Sequence, residues 1–167
     1  MTQLPWHDYA GESAEELLAL TATHRLDSIA VAFETALGQK AFTLGDGALS
    51  VAERDVLAIE ALEREVNNGG YGQFFANSSN EYTQTIVAAL RRIGCAKTAL
   101  ITEESIAALP EGTHFSSASL EAEMARQDDQ RDTQLEICDQ AYFSAREDIA
   151  SALIRYLDQH RDELRLL

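Results

Sequence analysis

The chain has 167 residues, 46% of them hydrophobic and only two of them proline, a length that suits one domain and a composition that rules out wholesale disorder and favours helix. Twenty-eight acidic residues against thirteen basic give a net charge of −15, which sets the chain against nucleic acid and anionic membrane as direct partners. Cys95 and Cys138 lie far apart, with no CxxC and no histidine close by in sequence, so they read as buried, reduced thiols rather than a zinc or redox site.

The opening "MTQLPWHDYAGESAEE" lacks the basic region and apolar run of a secretion signal. No segment approaches the roughly 18 consecutive apolar residues of a membrane span, and the expected location is the cytoplasm. Ser13 with Glu16 forms a capping-box pattern that predicts a helix start near residue 14. After a break at "TATH", Leu26, Ile29, Ala30 and Phe33 carry an apolar stripe at helical spacing up to Gly38. The stretch "GQKAFTLGDGALS" reads as a loop with a tight turn at "GDG", and Ser50 with Glu53 repeats the capping box before a long helix. In that helix Val56, Ile59, Leu62 and Val66 share one side, and Asn67 to Gly70 stop it.

The stop belongs to the most unusual stretch of the chain, "EVNNGGYGQFFANSS", which holds three of the nine glycines within four positions and aromatics at 71, 74 and 75. Asn-Gly between apolar runs is also a hairpin signal, but the preceding run keeps a helical period without β-alternation. The expected structure is a corner. Asn67, Asn68, Gly69 and Gly70 end one helix, and Tyr71, Phe74 and Phe75 return to the core in a short helical segment. Gln73 and Asn77 are left to bond exposed backbone.

Downstream, Ser78, Ser79 or Asn80 offers a cap for a helix with Tyr82, Ile86, Leu90 and Ile93 inside, ended by Gly94 behind Arg91 and Arg92. A further helix runs to about Leu109 and stops at "PEG". From Ser117 to about Tyr142, and from Ser144 to the end, helix formers continue without glycine or proline. Neither repeats nor low-complexity linkers divide the chain. Residues 1–167 therefore read as a single all-α domain, a helical bundle of about six or seven helices.

The strings "EREVNNGGYGQFFANSSNEY", "ALRRIGCAKTA" and "ALPEG", with the tail "LEICDQAYFSAREDIASALIRYL", resemble a bacterial domain-of-unknown-function family that includes an acidic DNA mimic. The resemblance covers roughly residues 55–157, and the N-terminal 50 residues match nothing in it. It implies an all-helical fold, no established catalysis and, for one branch, an acidic dimer that occupies the DNA-binding surface of a helix-turn-helix regulator. The asparagine–glycine–aromatic motif marks the fold in this comparison, and no catalytic role carries over to Asn67, Asn68 or Gln73.

The candidate partner surface is "ARQDDQRDTQLEICDQ", in which Asp128, Asp132, Glu136 and Asp139 recur at helical spacing with Asp129 beside them. Carboxylates four residues apart on a helix stand ~6 Å apart along its axis, whereas DNA phosphates advance ~3.4 Å per strand. One helix is too sparse, so mimicry requires charge from a second subunit or from other segments, with Asp148, Asp158, Asp162 and Glu163 or Glu12, Glu15 and Glu16 as the sources. Arg126 and Arg131 interrupt the stripe, and a solvated face laced with ion pairs is the plain structural alternative.

No nucleotide-binding, nucleophile-elbow or HExxH motif occurs, and His7, His24, His114 and His160 are scattered. Neither a catalytic residue nor a cofactor or metal ligand is assigned. The expected protein is an acidic, non-enzymatic interaction protein, compatible with a homodimer, that binds a basic DNA-binding protein such as a helix-turn-helix regulator and competes with DNA. The alternatives are an immunity protein against a basic nuclease and a metal-dependent enzyme that uses Asp128, Asp132 and Glu136 to hold a hard cation.

Overall fold

The computed structural model describes residues 3–167, which form eight α-helices and no strand. In chain order they are α1 (Ala14–Leu20), α2 (Leu26–Leu44), α3 (Val51–Ala76), α4 (Ile86–Arg92), α5 (Ala96–Ala107), α6 (Ser117–Met124), α7 (Asp129–Ala145) and α8 (Ile149–Gln159). Short 3-10 turns occupy Asp46–Ala48, Ser78–Tyr82 and Arg161–Glu163. By internal contacts the chain forms two units, one comprising the residues up to Glu60 together with Asp148–Leu167, the other Ala61–Glu147. Helix α3 gives its first ten residues to the former and the rest to the latter.

In the first unit, α2 packs against both α1 and α8. Ile29, Phe33 and Leu37 of α2, Leu17 of α1 and Leu153 and Leu157 of α8 are fully buried. Both capping boxes form. Ser13 accepts from the Glu16 amide while Glu16 accepts from the Ser13 amide, and Ser50 and Glu53 do the same at α3.

The Glu53 carboxylate has a second role. It is fully buried and takes both Lys40 Nζ, at 2.7 and 2.9 Å, and the Arg165 amide at 2.7 Å. This pair explains a departure from the sequence reading, which ended α2 at Gly38. The helix runs on to Leu44, through a glycine that costs roughly 1 kcal/mol against alanine, and the additional turns carry Lys40 to Glu53. Gly45, at φ 81°, ends it.

In the second unit, α5 packs on α4 and α7, and α6 packs on the Ser78–Tyr82 turn. The core gathers Leu62, Tyr71, Phe74, Phe75, Ile86, Leu90 and Leu120. The uninterrupted helix suggested from Ser117 to Tyr142 is two helices, α6 and α7, and α7 continues to Ala145 before Arg146 adopts the left-handed conformation at φ 51°. This extra division raises the count above the six or seven expected. It arises from hydrogen bonding that competes with helix continuation rather than from a breaker residue. Asp128 turns its carboxylate onto the amides of Gln130 and Arg131, and the buried Arg131 donates to the carbonyls of Glu123 and Arg126. A 3-10 turn likewise takes the place of the first part of the helix expected after Asn80, and α4 begins only at Ile86.

Removing one member of the Lys40–Glu53 pair strands a buried charge, which typically costs ~3–5 kcal/mol, whereas replacing both with matched neutral groups is far milder. Urea unfolding of Glu53→Gln should show a loss of that order, and Lys40→Met/Glu53→Gln should recover most of it. Additive losses in the double variant would count against the pair as a coupled unit.

Candidate functional site

The backbone breaks at Gly69 and Gly70 inside α3, at φ −162°, ψ 20° and φ 76°, ψ −175° respectively, while Asn67 and Asn68 stay helical. Gly70 occupies a region of backbone space that is essentially reserved for glycine. A Cβ there would lie 2.2 Å from Asp139 Oδ2, so Asp139 can approach only a bare backbone. With that approach open, Asp139 Oδ1 accepts the Tyr71 amide at 2.7 Å, one of the first amides of the restarted helix, which has no partner within that helix. Gly69 faces a different neighbour. A Cβ there would meet Gln73 Oε1 at 2.2 Å, displacing the side chain that Glu65 holds.

Glu65 is the polar centre of the corner. Its carboxylate accepts from Gln73 Nε2 at 2.7 Å, Asn77 Nδ2 at 2.8 Å and Ser79 Oγ at 2.9 Å. Burial alone pushes its pKa up, but these three donors and nearby Arg64 outweigh burial and bring it below the usual value. Asp139 is shifted the other way, since burial raises it and the Tyr71 amide only partly offsets that. Tyr71, Phe74 and Phe75 are fully buried behind this network. The Tyr71 hydroxyl meets Thr102 Oγ1 at 2.7 Å, and Thr102 in turn donates to the Thr98 carbonyl. Asn67 donates to the Glu63 carbonyl one turn back, and Asn68 is exposed. Gln73 and Asn77 therefore bond a side-chain carboxylate rather than the exposed backbone that the sequence suggested.

The acidic segment divides by role. Asp128 is half-buried, lies outside the helical conformation at φ −148°, and caps α7. Asp139 is half-buried at the corner. Asp129, Asp132 and Glu136 are exposed along α7. Asp132 also pairs with Arg131 at 2.7 Å while keeping about half its side chain in solvent. Arg131, which spacing alone placed as a break in a surface stripe, is buried and tied to Glu123, Arg126 and Asp132. Ile137 and Phe143, both more than half exposed, extend the outward face toward the C-terminal end of α7.

The three residues of the cation alternative do not converge, because Asp128 is committed to backbone amides. Among the described residues no three histidine, cysteine or acidic side chains are arranged to hold a metal ion. Of the supplementary acids, Glu16 and Asp148 cap α1 and α8 and Asp158 pairs with Arg161, while Glu15, Asp162 and Glu163 are exposed. Cys95 and Cys138 are buried, free thiols, and burial raises the Cys138 pKa. No described helix is long and apolar enough to cross a membrane.

Two structural roles escaped sequence reasoning, one of them at Asn80, which the sequence offered only as a helix cap. Asn80 is fully buried, donates to the Phe75 carbonyl and accepts from Ser117 Oγ. Glu147 supplies the N-terminal cap of α5 from fifty residues away, accepting from the amides of Lys97 and Thr98 and from Thr98 Oγ1. Cys95 precedes α5 without a capping side chain. That missing local cap was the one available hint, but it could not name the donor.

The fold and the site define an all-helical acidic protein whose most distinctive residues build a glycine corner closed by two carboxylates. The chain belongs to the DMP19-like protein family, whose family model matches residues 47–160 and so includes the corner, α7 and α8. Comparison with curated proteins and with solved structures gives no match.

Gly70→Ala should lose about 3 kcal/mol or more, combining backbone strain with the lost Asp139–Tyr71 bond, as read by urea unfolding. A loss below that of Gly69→Ala would show that the corner does not depend on this approach.

Folding lowers the Glu65 pKa from its ordinary 4.5, so its stabilisation is complete above that value and is lost as pH falls through the depressed one. Asp139 has the opposite sign. Its pKa is raised from 3.8, so its contribution is complete below that value and is lost as pH rises through the raised one. Wild type should therefore lose more stability between about pH 5 and pH 3 than Glu65→Gln does, and parallel pH profiles for the two proteins would remove Glu65 from that account.

Proposed function

We propose that this protein is a cytoplasmic, non-enzymatic DNA mimic that covers the DNA-binding surface of a basic protein, with a helix-turn-helix transcription regulator as the expected partner. The observation that carries the reading is the exposed set Asp129, Asp132 and Glu136 on α7, inside the segment matched by the family, in a chain of net charge −15. Exposed carboxylates keep their hydration and create a field that speeds encounter with a basic partner. A homodimer would supply the density that one helix lacks. Two copies at −15 each carry the charge of about fifteen base pairs at two phosphates per pair.

The test begins with a DNA-binding protein captured at low salt and purified, then asks whether this chain displaces duplex DNA from it. Displacement that weakens as salt rises supports the proposal. In Asp129→Asn/Asp132→Asn/Glu136→Gln the affinity should fall about tenfold, since exposed pairs contribute up to about 1 kcal/mol each. The melting temperature should move by less than about 4 °C. Asp128 is left intact because its removal would uncap α7. A partner that binds DNA and this chain simultaneously would end the mimic reading, and a captured nuclease whose activity is blocked would replace it with immunity.

A further inference from the structure

A groove of about 550 Å³ lies between the C-terminal end of α5 and the start of α7, within the size range of small-ligand sites. One wall is apolar and runs from Ala107 to Pro110, while the Glu104 carboxylate and the Gln134 amide oxygen provide acceptors around it. The end of α5 contributes negative charge of its own. No basic residue occupies its last turn, and no backbone amide among the described residues bonds the carbonyls of Ala107 or Ala108. A helix C-terminus in that state carries roughly half a negative charge. The cation in the lining, Arg131, is balanced by Asp132 and Glu123.

We propose that this groove receives a guanidinium group, the head of an arginine side chain on the protein's partner. Acceptors from two independent sources, a carboxylate and the carbonyl end of a helix, surround an apolar wall. A planar, weakly hydrated cation with five donors can lie against that wall while bonding at its edge, which a compact, strongly hydrated ammonium does less well. The groove adjoins Asp129 at the first turn of α7, so an arginine seated there would bring the neighbouring basic residues of a partner to the outward carboxylates. This assignment rests on the reading of the chain as a partner-binding protein, and it names the chemistry that the partner presents.

The test uses the full chain and N-acetyl-arginine amide as the probe, followed through backbone amide chemical shifts, with N-acetyl-lysine amide and N-acetyl-glutamine amide alongside. Saturable shifts are expected at Ala107, Ala108, Gln130 and Gln134, tighter for the arginine probe than for the lysine probe and absent for glutamine. Glu104→Gln should weaken the arginine probe roughly threefold to fivefold, as for an exposed ion pair. Ala108→Arg, which tethers a guanidinium at the groove, should abolish its binding. Equal binding of lysine and arginine, shifts scattered over the acidic surface, or an unchanged affinity in both variants would each overturn the proposal. The two readings fail separately. A DNA-competing partner that is sensitive to the α7 triple variant but indifferent to Glu104→Gln and Ala108→Arg leaves mimicry standing and removes the groove, whereas probe binding without any DNA-competing partner does the reverse.

Discussion

The corner of α3 depends on the absence of a single atom. A Cβ at Gly70 would fall on the Asp139 carboxylate, and the same residue's φ of 76° with ψ of −175° is closed to other side chains. Because both requirements fall on one position, the backbone can kink while Asp139 caps the restarted segment at the Tyr71 amide. Tyr71, Phe74 and Phe75 then face inward, and Gln73 and Asn77 converge on Glu65. The spacing of the motif follows from this geometry. The glycines make the break, the aromatics one and four to five residues later fill the core, and the amides between and after them satisfy a carboxylate one turn before the break.

The signals that were legible in the sequence have partners within about one turn of each other. The capping boxes at Ser13 and Ser50 consist of residues three apart, so the sequence contains both halves, and the starts of α1 and α3 follow. The glycine corner was readable for the same reason, since the left-handed demand and the aromatic return sit in one short string. Gly38 was misleading because a glycine's helix cost is small beside the buried ion pair of Lys40 with Glu53, thirteen residues further on. The division between α6 and α7 was invisible because it is made by Asp128 and Arg131, residues that a helix also accepts. Glu147 at the head of α5 and Asp139 at the corner belong to contacts spanning 49 and 68 residues, beyond any local rule.

These long-range contacts change how the acidity is to be understood. A net charge of −15 suggests a uniform coat, yet Glu53, Glu65, Asp128, Asp139 and Glu147 each close a specific set of donors. Amides at helix starts and side-chain donors at the corner need acceptors, and a fold assembled from eight mostly short helices has many such ends. Part of the acidic excess is thus a structural requirement of the architecture. Only the remainder, including Asp129, Asp132 and Glu136, is available to a partner.

The same division explains why regular spacing alone is a poor guide to a charged interface here. Asp128, Asp132, Glu136 and Asp139 have the periodicity of one helical face, but the first lies outside the helix and the last turns to the Tyr71 amide. Periodicity describes where Cα atoms lie on a cylinder, whereas a carboxylate's availability depends on which unpaired donor is within its reach. At the two ends of the series backbone amides without a partner in their own helix are the stronger claim, and the side chains go to them. In the middle the flanking donor is Arg131, whose guanidinium is already shared among carbonyls and carboxylates, so Asp132 keeps much of its hydration and Glu136 remains exposed. The surface charge of α7 is what remains after the fold's own donors have been satisfied.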